Sequence, residues 1–165
     1  MAMTYNEVWR ALGPEDRLKA GEAFWAENGP QQQGAMQLLA KRYSFRPKTL
    51  KALSAERKAR MLVELTLPPD ITMLLLAAFH LTHRRQLLID FLDALGIAHK
   101  EGFLDENTEA TPPTAETMGK AVETVKGKYP AREVQIYFET LYMQDSGFWK
   151  ELGAYLPEKT AAGNE

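Results

Sequence analysis

Residues 71–96 read ITMLLLAAFHLTHRRQLLIDFLDALG and decide the fold class of this chain. Apolar residues recur there at the three- and four-residue spacing of an α-helix rather than at the two-residue spacing of a strand. Asp70 precedes the stretch, where a carboxylate favours the positive end of a helix, and Gly96 is a natural helix C-cap. The pattern therefore predicts one long helix, or two helices that are broken near His80-Leu81-Thr82.

Helix signals continue on both sides of this stretch. Thr4 and Glu7 form a capping box before the first apolar run. Ser54 and Thr114 stand at positions where a side chain can cap a later helix. Strand signals are almost absent. We therefore predict an all-α fold, a compact array of about seven to nine short helices around one core, with no significant β-sheet.

The length of the chain, 165 residues, is sufficient for a single buried core. We predict one all-helical domain over residues 1–157. Within it, residues 100–113 are rich in charged residues and end in two prolines, a composition typical of a surface loop or linker. Residues 158–165 have little to bury and are predicted to form a flexible tail.

Composition limits the classes of function that the chain can perform. The absence of cysteine excludes disulfides, thiol nucleophiles and thiolate metal sites, and it fits a reducing cytoplasm. The most apolar run, residues 71–81, is far shorter than the roughly 20 residues that span a bilayer. A formal net charge of −2 and a hydrophobic fraction of 45% are those of an ordinary water-soluble domain. We expect a cytoplasmic protein that does not bind a membrane.

Arg84 is the charge whose position most needs an explanation. On the wheel of a continuous helix over residues 71–95, it shares an apolar stripe with His80 and Leu87. Neither the i−4 nor the i+4 position supplies a carboxylate, and a buried guanidinium needs an anionic partner. We therefore expect a tertiary ion pair, a bound anion, or a helical register that differs from the wheel. Candidate carboxylates, each near an apolar stripe, are Glu22, Glu64 and Glu139.

A ligand-binding site at His80 and Arg84 is one functional interpretation of this stripe. Arg84 would clamp an anion such as a carboxylate or phosphate, and His80 would serve as a hydrogen-bond partner or acid-base group. The three histidines are close in sequence, but no His-Glu-x-x-His motif, phosphate loop or nucleophile elbow accompanies them. We predict no metal, no cofactor and no catalytic residue, which favours a binding protein over an enzyme.

The segment 41–60 concentrates positive charge in an acidic chain. It carries eight basic residues and one acid, a formal charge of +7 in a chain whose total is −2. Tyr43 and Phe45 interleave with the charges, as in nucleic-acid-binding surfaces. A solvated helical face, and a contact between basic and acidic surfaces of two subunits, are the other interpretations. The net negative charge of the chain disfavours nucleic acid, whose contacts would be Lys41, Arg42, Arg46, Lys48 and Lys51.

The aromatic region at residues 137–155 has two interpretations. Its rings recur at helical spacing, which is first of all the pattern of a core stripe, although exposed aromatic residues anchor many interfaces. We predict a protein that binds a protein partner, or a second copy of itself, without catalysis. The alternatives are a small-molecule or anion site at His80 and Arg84, and nucleic-acid binding through residues 41–60.

Overall fold

The fold is all-α in residues 3–27, 29–104 and 110–157, the part of the chain that the computed structural model describes. This part holds nine α-helices and a final 3₁₀ helix, and its only β-type pairing is an isolated bridge between Lys100 and Phe103. The all-α prediction is thereby confirmed. The predicted tail, residues 158–165, and the middle of the predicted loop, residues 105–109, lie outside the described residues.

The helices are α1 (Tyr5–Ala11), α2 (Pro14–Ala26), α3 (Gln32–Tyr43), α4 (Pro47–Ala52), α5 (Ala55–Val63), α6 (Pro69–His83), α7 (Arg85–Leu95), α8 (Ala115–Lys126), α9 (Ala131–Gln144) and the 3₁₀ helix Lys150–Tyr155.

The chain divides into two compact units. The central unit is Trp9–Thr82, and the terminal unit joins Met1–Val8 to His83–Glu165. The single domain that the sequence suggests over residues 1–157 stays a prediction. Within the described residues of either unit, no helix combines the length and the apolar character that crossing a bilayer requires.

In the central unit, α2 packs along α5 where both helices carry small residues. A Cβ atom added to Gly21 would lie 2.8 Å from the Cβ atom of Ala59, too close to be accepted without a shift. The missing side chain at Gly21 therefore sets the distance between the two helices. One residue before Ala59, the Nζ atom of Lys58 lies 4.7 Å from the ring centroid of Trp25. The core of this unit includes the fully buried side chains of Leu39, Leu50, Leu62, Leu75 and Leu76.

The connections from α3 to α5 are short and follow recognisable turn signals. α3 ends where Ser44 adopts a left-handed conformation with φ 57°. Pro47 opens α4, a position where the N–H that proline lacks has no helical partner in any case. Ser54 then caps α5, because its Oγ atom accepts a hydrogen bond from the backbone N–H of Arg57 at 3.2 Å. Three helices in succession therefore carry the basic segment 41–60.

The long apolar segment forms two helices rather than one. α6 ends at His83, Arg84 has φ −128° and ψ 23°, and α7 begins at Arg85. The break thus falls beyond the predicted position near residues 80–82. Because the wheel of a continuous helix does not apply across a break, Arg84 does not extend the stripe of His80. The placement of Arg84 on that stripe was wrong.

The terminal unit packs α7 against α8 and encloses a group of aromatic rings. The ring of Phe91, on α7, lies 5.0 Å from that of Phe138, 5.7 Å from Tyr137 and 6.1 Å from Trp149, measured between centroids. All four side chains are buried. The aromatic residues at 137, 138 and 149 therefore form core, the first of the two interpretations of this region.

Candidate functional site

Arg84 meets a carboxylate that the sequence did not single out. Its Nη2 atom lies 3.3 Å from Oε1 of Glu133 on α9, and its Nη1 atom donates to the carbonyl of His83 at 3.2 Å. The two charged side chains are 24% and 31% exposed, so water screens the pair only in part. Glu133 was missed because it lies far along the chain, and sequence spacing carries no signal for such a contact.

His80 is buried in α6 and packs its ring against the edge of Phe79, with 5.6 Å between the ring centroids. His80 is 4% exposed. His80 belongs to the central unit and Arg84 to the terminal unit. The structure therefore does not bring them together within one compact unit, and a shared ligand role for this pair stays a prediction.

The five basic residues that the sequence identifies all lie at the surface of the central unit. Two are in the last turn of α3, one precedes α4, and two are within α4. None of them forms an ion pair with another residue in the described part of the chain. We call four of them, together with the ring of Phe45, the basic face: Lys41, Arg42, Phe45, Arg46 and Lys48.

The ring of Phe45, the aromatic residue of the basic face, packs against the ring of Tyr43. Tyr43 and Phe45 stack, with 6.4 Å between ring centroids and 22° between ring planes. The hydroxyl of Tyr43 donates to the carbonyl of Met61 at 3.1 Å, which ties the pair to α5. Phe45 is 37% exposed. Phe45 therefore adds an exposed apolar ring to the four exposed cations of the basic face.

A cavity of about 760 Å³ opens within the central unit, beside α3, α4 and α5. Lys51, the fifth of the basic residues, lines this cavity with Lys58. The side chain of Gln32 bonds to the carbonyl of Phe24 at 2.9 Å and to that of Glu27, so it joins the end of α2 to the start of α3. The remaining lining residues are Gly29, Pro30, Gln33, Met36, Gln37, Ala40, Pro47 and Leu50.

The lining of the cavity combines apolar surface with uncompensated positive charge. Among the described residues that line it are two lysines and three glutamines but no carboxylate. The sequence did not indicate this site because glutamine has no strong periodic signal and because the lining comes from separate segments of the chain. The run of charges at 41–60 was the available clue, and it identified Lys51 but not the cavity.

Asp90 is the centre of a polar cluster in the terminal unit. Its carboxylate accepts hydrogen bonds from Lys128 at 2.6 Å, Tyr129 at 2.5 Å and Gln86 at 2.8 Å. Burial acts to raise the pKa of Asp90, but these three bonds and the charge of Lys128 outweigh it and lower the pKa below 3.8. Burial and the Asp90 carboxylate raise the pKa of Tyr129 to about 12. The side chain of Asp90 is 16% exposed.

The remaining polar clusters do not resemble a metal centre. The Nε2 atom of His99 lies 2.6 Å from the Asp93 carboxylate, and its Nδ1 atom accepts from the backbone N–H of Gly102 at 3.0 Å. Within residues 3–27, 29–104 and 110–157, no group of three or more potential ligands is placed to hold a metal ion. The hydrogen bonds that His99 forms with Asp93 and Gly102 thus account for its position in this turn.

Comparison of the chain with protein-family models, curated proteins and solved structures finds no match in any of the three. Two features of the central unit combine accessible surface with positive charge: the basic face and the cavity. The basic face lies on α3, on α4 and on the turn between them, and most of the residues that line the cavity belong to α3, α4 and α5.

Proposed function

We propose that this protein binds a protein partner through the basic face and performs no catalysis there. The observation that supports the proposal is a solvent-exposed aromatic ring that is close in sequence to four exposed cations, none of which has an ion-pair partner among the described residues. Aromatic residues and arginine are enriched at the energetic centres of protein interfaces. The complementary surface is an acidic segment of the partner that also carries an apolar side chain to contact Phe45.

An acidic protein segment suits this face better than a nucleic acid does. The rest of the chain carries a formal charge of −9, since segment 41–60 contributes +7 to a total of −2. That negative field repels a long polyanion, whereas a short acidic segment meets mainly the local positive patch. Surfaces for single-stranded nucleic acid also stack successive bases on several rings, and the basic face exposes one.

Fluorescence anisotropy with two labelled probes tests the proposal. One probe is an acidic peptide of Glu, Asp and Leu with a single Phe, and the other is a single-stranded oligothymidine of similar charge. We expect the peptide to bind more tightly, with an affinity that falls as the salt concentration rises. Tighter binding of the oligothymidine would overturn the choice of a protein partner, and binding of neither probe would overturn the proposed face.

Two matched double variants locate the binding surface. Lys41→Gln/Lys48→Gln removes two charges from the basic face, and Lys19→Gln/Lys120→Gln removes two exposed charges elsewhere. An exposed ion pair contributes up to about 1 kcal/mol, so the first variant should weaken peptide binding by about tenfold. The second should change it less than twofold. Equal effects would show that net charge, not this face, attracts the peptide.

Association with a second copy of the chain is tested by sedimentation equilibrium of the same variants. The proposal expects an unchanged molecular mass, because the acidic segment belongs to a different protein. The cytoplasmic location that we expect from the sequence is also part of the proposal, and fractionation of cells that produce the chain tests it.

A further inference from the structure

The cavity beside α3, α4 and α5 has the size and the lining of a small-molecule site. Its volume of about 760 Å³ falls in the range of about 300–1,000 Å³ that is typical of ligand pockets. Such pockets combine mostly apolar walls with a few polar groups that orient the ligand. Here the apolar wall includes Met36, Ala40 and Leu50, and the amides of Gln33 and Gln37 supply donors and acceptors.

The charge of the lining selects the chemical class of the ligand. Lys51 and Lys58 both border the cavity, and neither forms an ion pair with a described residue. The ammonium group of Lys58 instead lies over the ring of Trp25 at 4.7 Å. Cations in a recess concentrate the field there and attract an anion. A cationic ligand would meet no compensating carboxylate among the described lining residues.

We infer that this cavity binds a small organic acid, with its acid group at Lys51 and Lys58 and its apolar body against Met36, Ala40 and Leu50. An inorganic anion would leave the apolar wall uncovered, and a neutral lipid would leave both lysines without a partner. An amphipathic acid satisfies both parts of the lining. The lysines of this site, Lys51 and Lys58, are different residues from the four cations of the proposed protein-binding face.

Isothermal titration calorimetry of the full chain with three probes of graded chemistry tests the inference. Decanoate carries an acid group and an apolar chain, decanol lacks the charge, and inorganic phosphate lacks the chain. We expect decanoate to bind at least tenfold more tightly than either of the others. Equal affinity for decanol would overturn the role of the lysines, and equal affinity for phosphate would overturn the role of the apolar wall.

Two lysines of the same helix provide a matched pair of variants. Lys51 lines the cavity and Lys48 does not, although both belong to α4. Lys51→Gln should weaken decanoate binding by threefold or more and leave decanol unchanged, whereas Lys48→Gln should leave decanoate unchanged. Equal loss in the two variants would contradict the inference. Lys48→Gln still weakens acidic peptides if the basic face docks a protein, so failure of one proposal is distinguished from failure of the other.

A variant that fills the cavity tests the location without changing charge. Ala40→Phe places a ring in the space beside Met36 and Leu50. We expect decanoate binding to be lost while the far-ultraviolet circular dichroism stays that of a folded helical protein. Unchanged binding in a folded Ala40→Phe variant would place the ligand elsewhere. If this variant does not fold, the comparison of Lys51→Gln with Lys48→Gln decides the question.

Discussion

Replacing Gly21 by alanine tests a close contact between two helices of the central unit. In the middle of a helix, alanine is more favourable than glycine by about 1 kcal/mol. At Gly21, however, the added Cβ atom would lie 2.8 Å from the Cβ and 3.2 Å from the Cα of Ala59. These atoms cannot rotate away as the end of a flexible side chain can, so α2 and α5 must separate. Overpacking of this kind costs about 1–3 kcal/mol, and the backbone contact places Gly21 in the upper half of that range.

The expected net effect is a loss of about 1–2 kcal/mol for Gly21→Ala, after the gain in helix propensity is subtracted from the packing cost. Gly34 is the matched control, because it lies within α3 and a Cβ atom added there meets nothing within 4 Å. Gly34→Ala should therefore stabilise the protein by up to about 1 kcal/mol. The two variants make the same chemical change and should move stability in opposite directions.

Urea denaturation followed by circular dichroism at 222 nm measures both variants. The double variant Gly21→Ala/Ala59→Gly moves the methyl group from α5 to α2 and restores the spacing of the contact. It should be more stable than the sum of the single substitutions predicts, by about 1 kcal/mol or more. The packing argument is refuted if Gly21→Ala is as stable as Gly34→Ala, or if the double variant shows no such coupling.

Three further predictions concern the terminal unit. Asp90→Asn should lower the free energy of unfolding by about 1–2 kcal/mol at pH 7. Because the pKa of Asp90 is lowered in the folded chain, its carboxylate stabilises the fold above pH 3.8, and this contribution is lost as the pH falls further. The variant should therefore lack this part of the acid sensitivity, and equal acid unfolding profiles of the variant and the wild type would contradict the prediction. Tyr129 keeps its proton in the folded chain up to a pKa of about 12 but ionises near 10.0 when unfolded, so stability should fall from pH 10 to 12 more steeply in the wild type than in Tyr129→Phe, as urea titrations at each pH would show. Glu133→Gln should lower the free energy of unfolding by no more than about 1 kcal/mol, because water partly screens the contact of Glu133 with Arg84. A loss of more than twice that value, measured by differential scanning calorimetry, would contradict the description of this pair as partly screened.

The helices were predictable because their signals are local. Thr114 was expected as an N-cap, and its hydroxyl accepts a hydrogen bond from the backbone N–H of Thr117 at 3.2 Å. Gly96 was expected to end a helix, and it has φ 72°, a conformation that side chains disfavour. Each of these features depends on residues within one helical turn, so the sequence pattern contains the necessary information.

The break at Arg84 and the environment of Asp90 were not predictable in the same way. No glycine or proline lies between His80 and Gly96, so the residues themselves do not require a break after His83. Lys128 and Tyr129 reach Asp90 from another part of the chain, and no spacing in the sequence relates these residues to Asp90. Contacts of this kind depend on how helices pack, which a periodic pattern does not specify.

Of the candidate site, the surface charges were predictable from the sequence and the cavity was not. The charges of Lys41, Arg42 and Lys48 could be read as a surface patch because charged side chains seldom lie inside a protein. The cavity could not be inferred, because its volume depends on the spacing of helices that carry unremarkable residues such as Ala40. A site of this type becomes visible only when the chain is folded.

The close approach of Gly21 to Ala59 has a consequence for how this protein can change during evolution. Ala59 is next to Lys58 in α5. The contact of Gly21 with Ala59 therefore fixes the position of α5 and also the position of the Lys58 side chain that lines the cavity. A larger residue at position 21 would therefore shift Lys58, and with it the lining of the proposed ligand site, without being part of that lining.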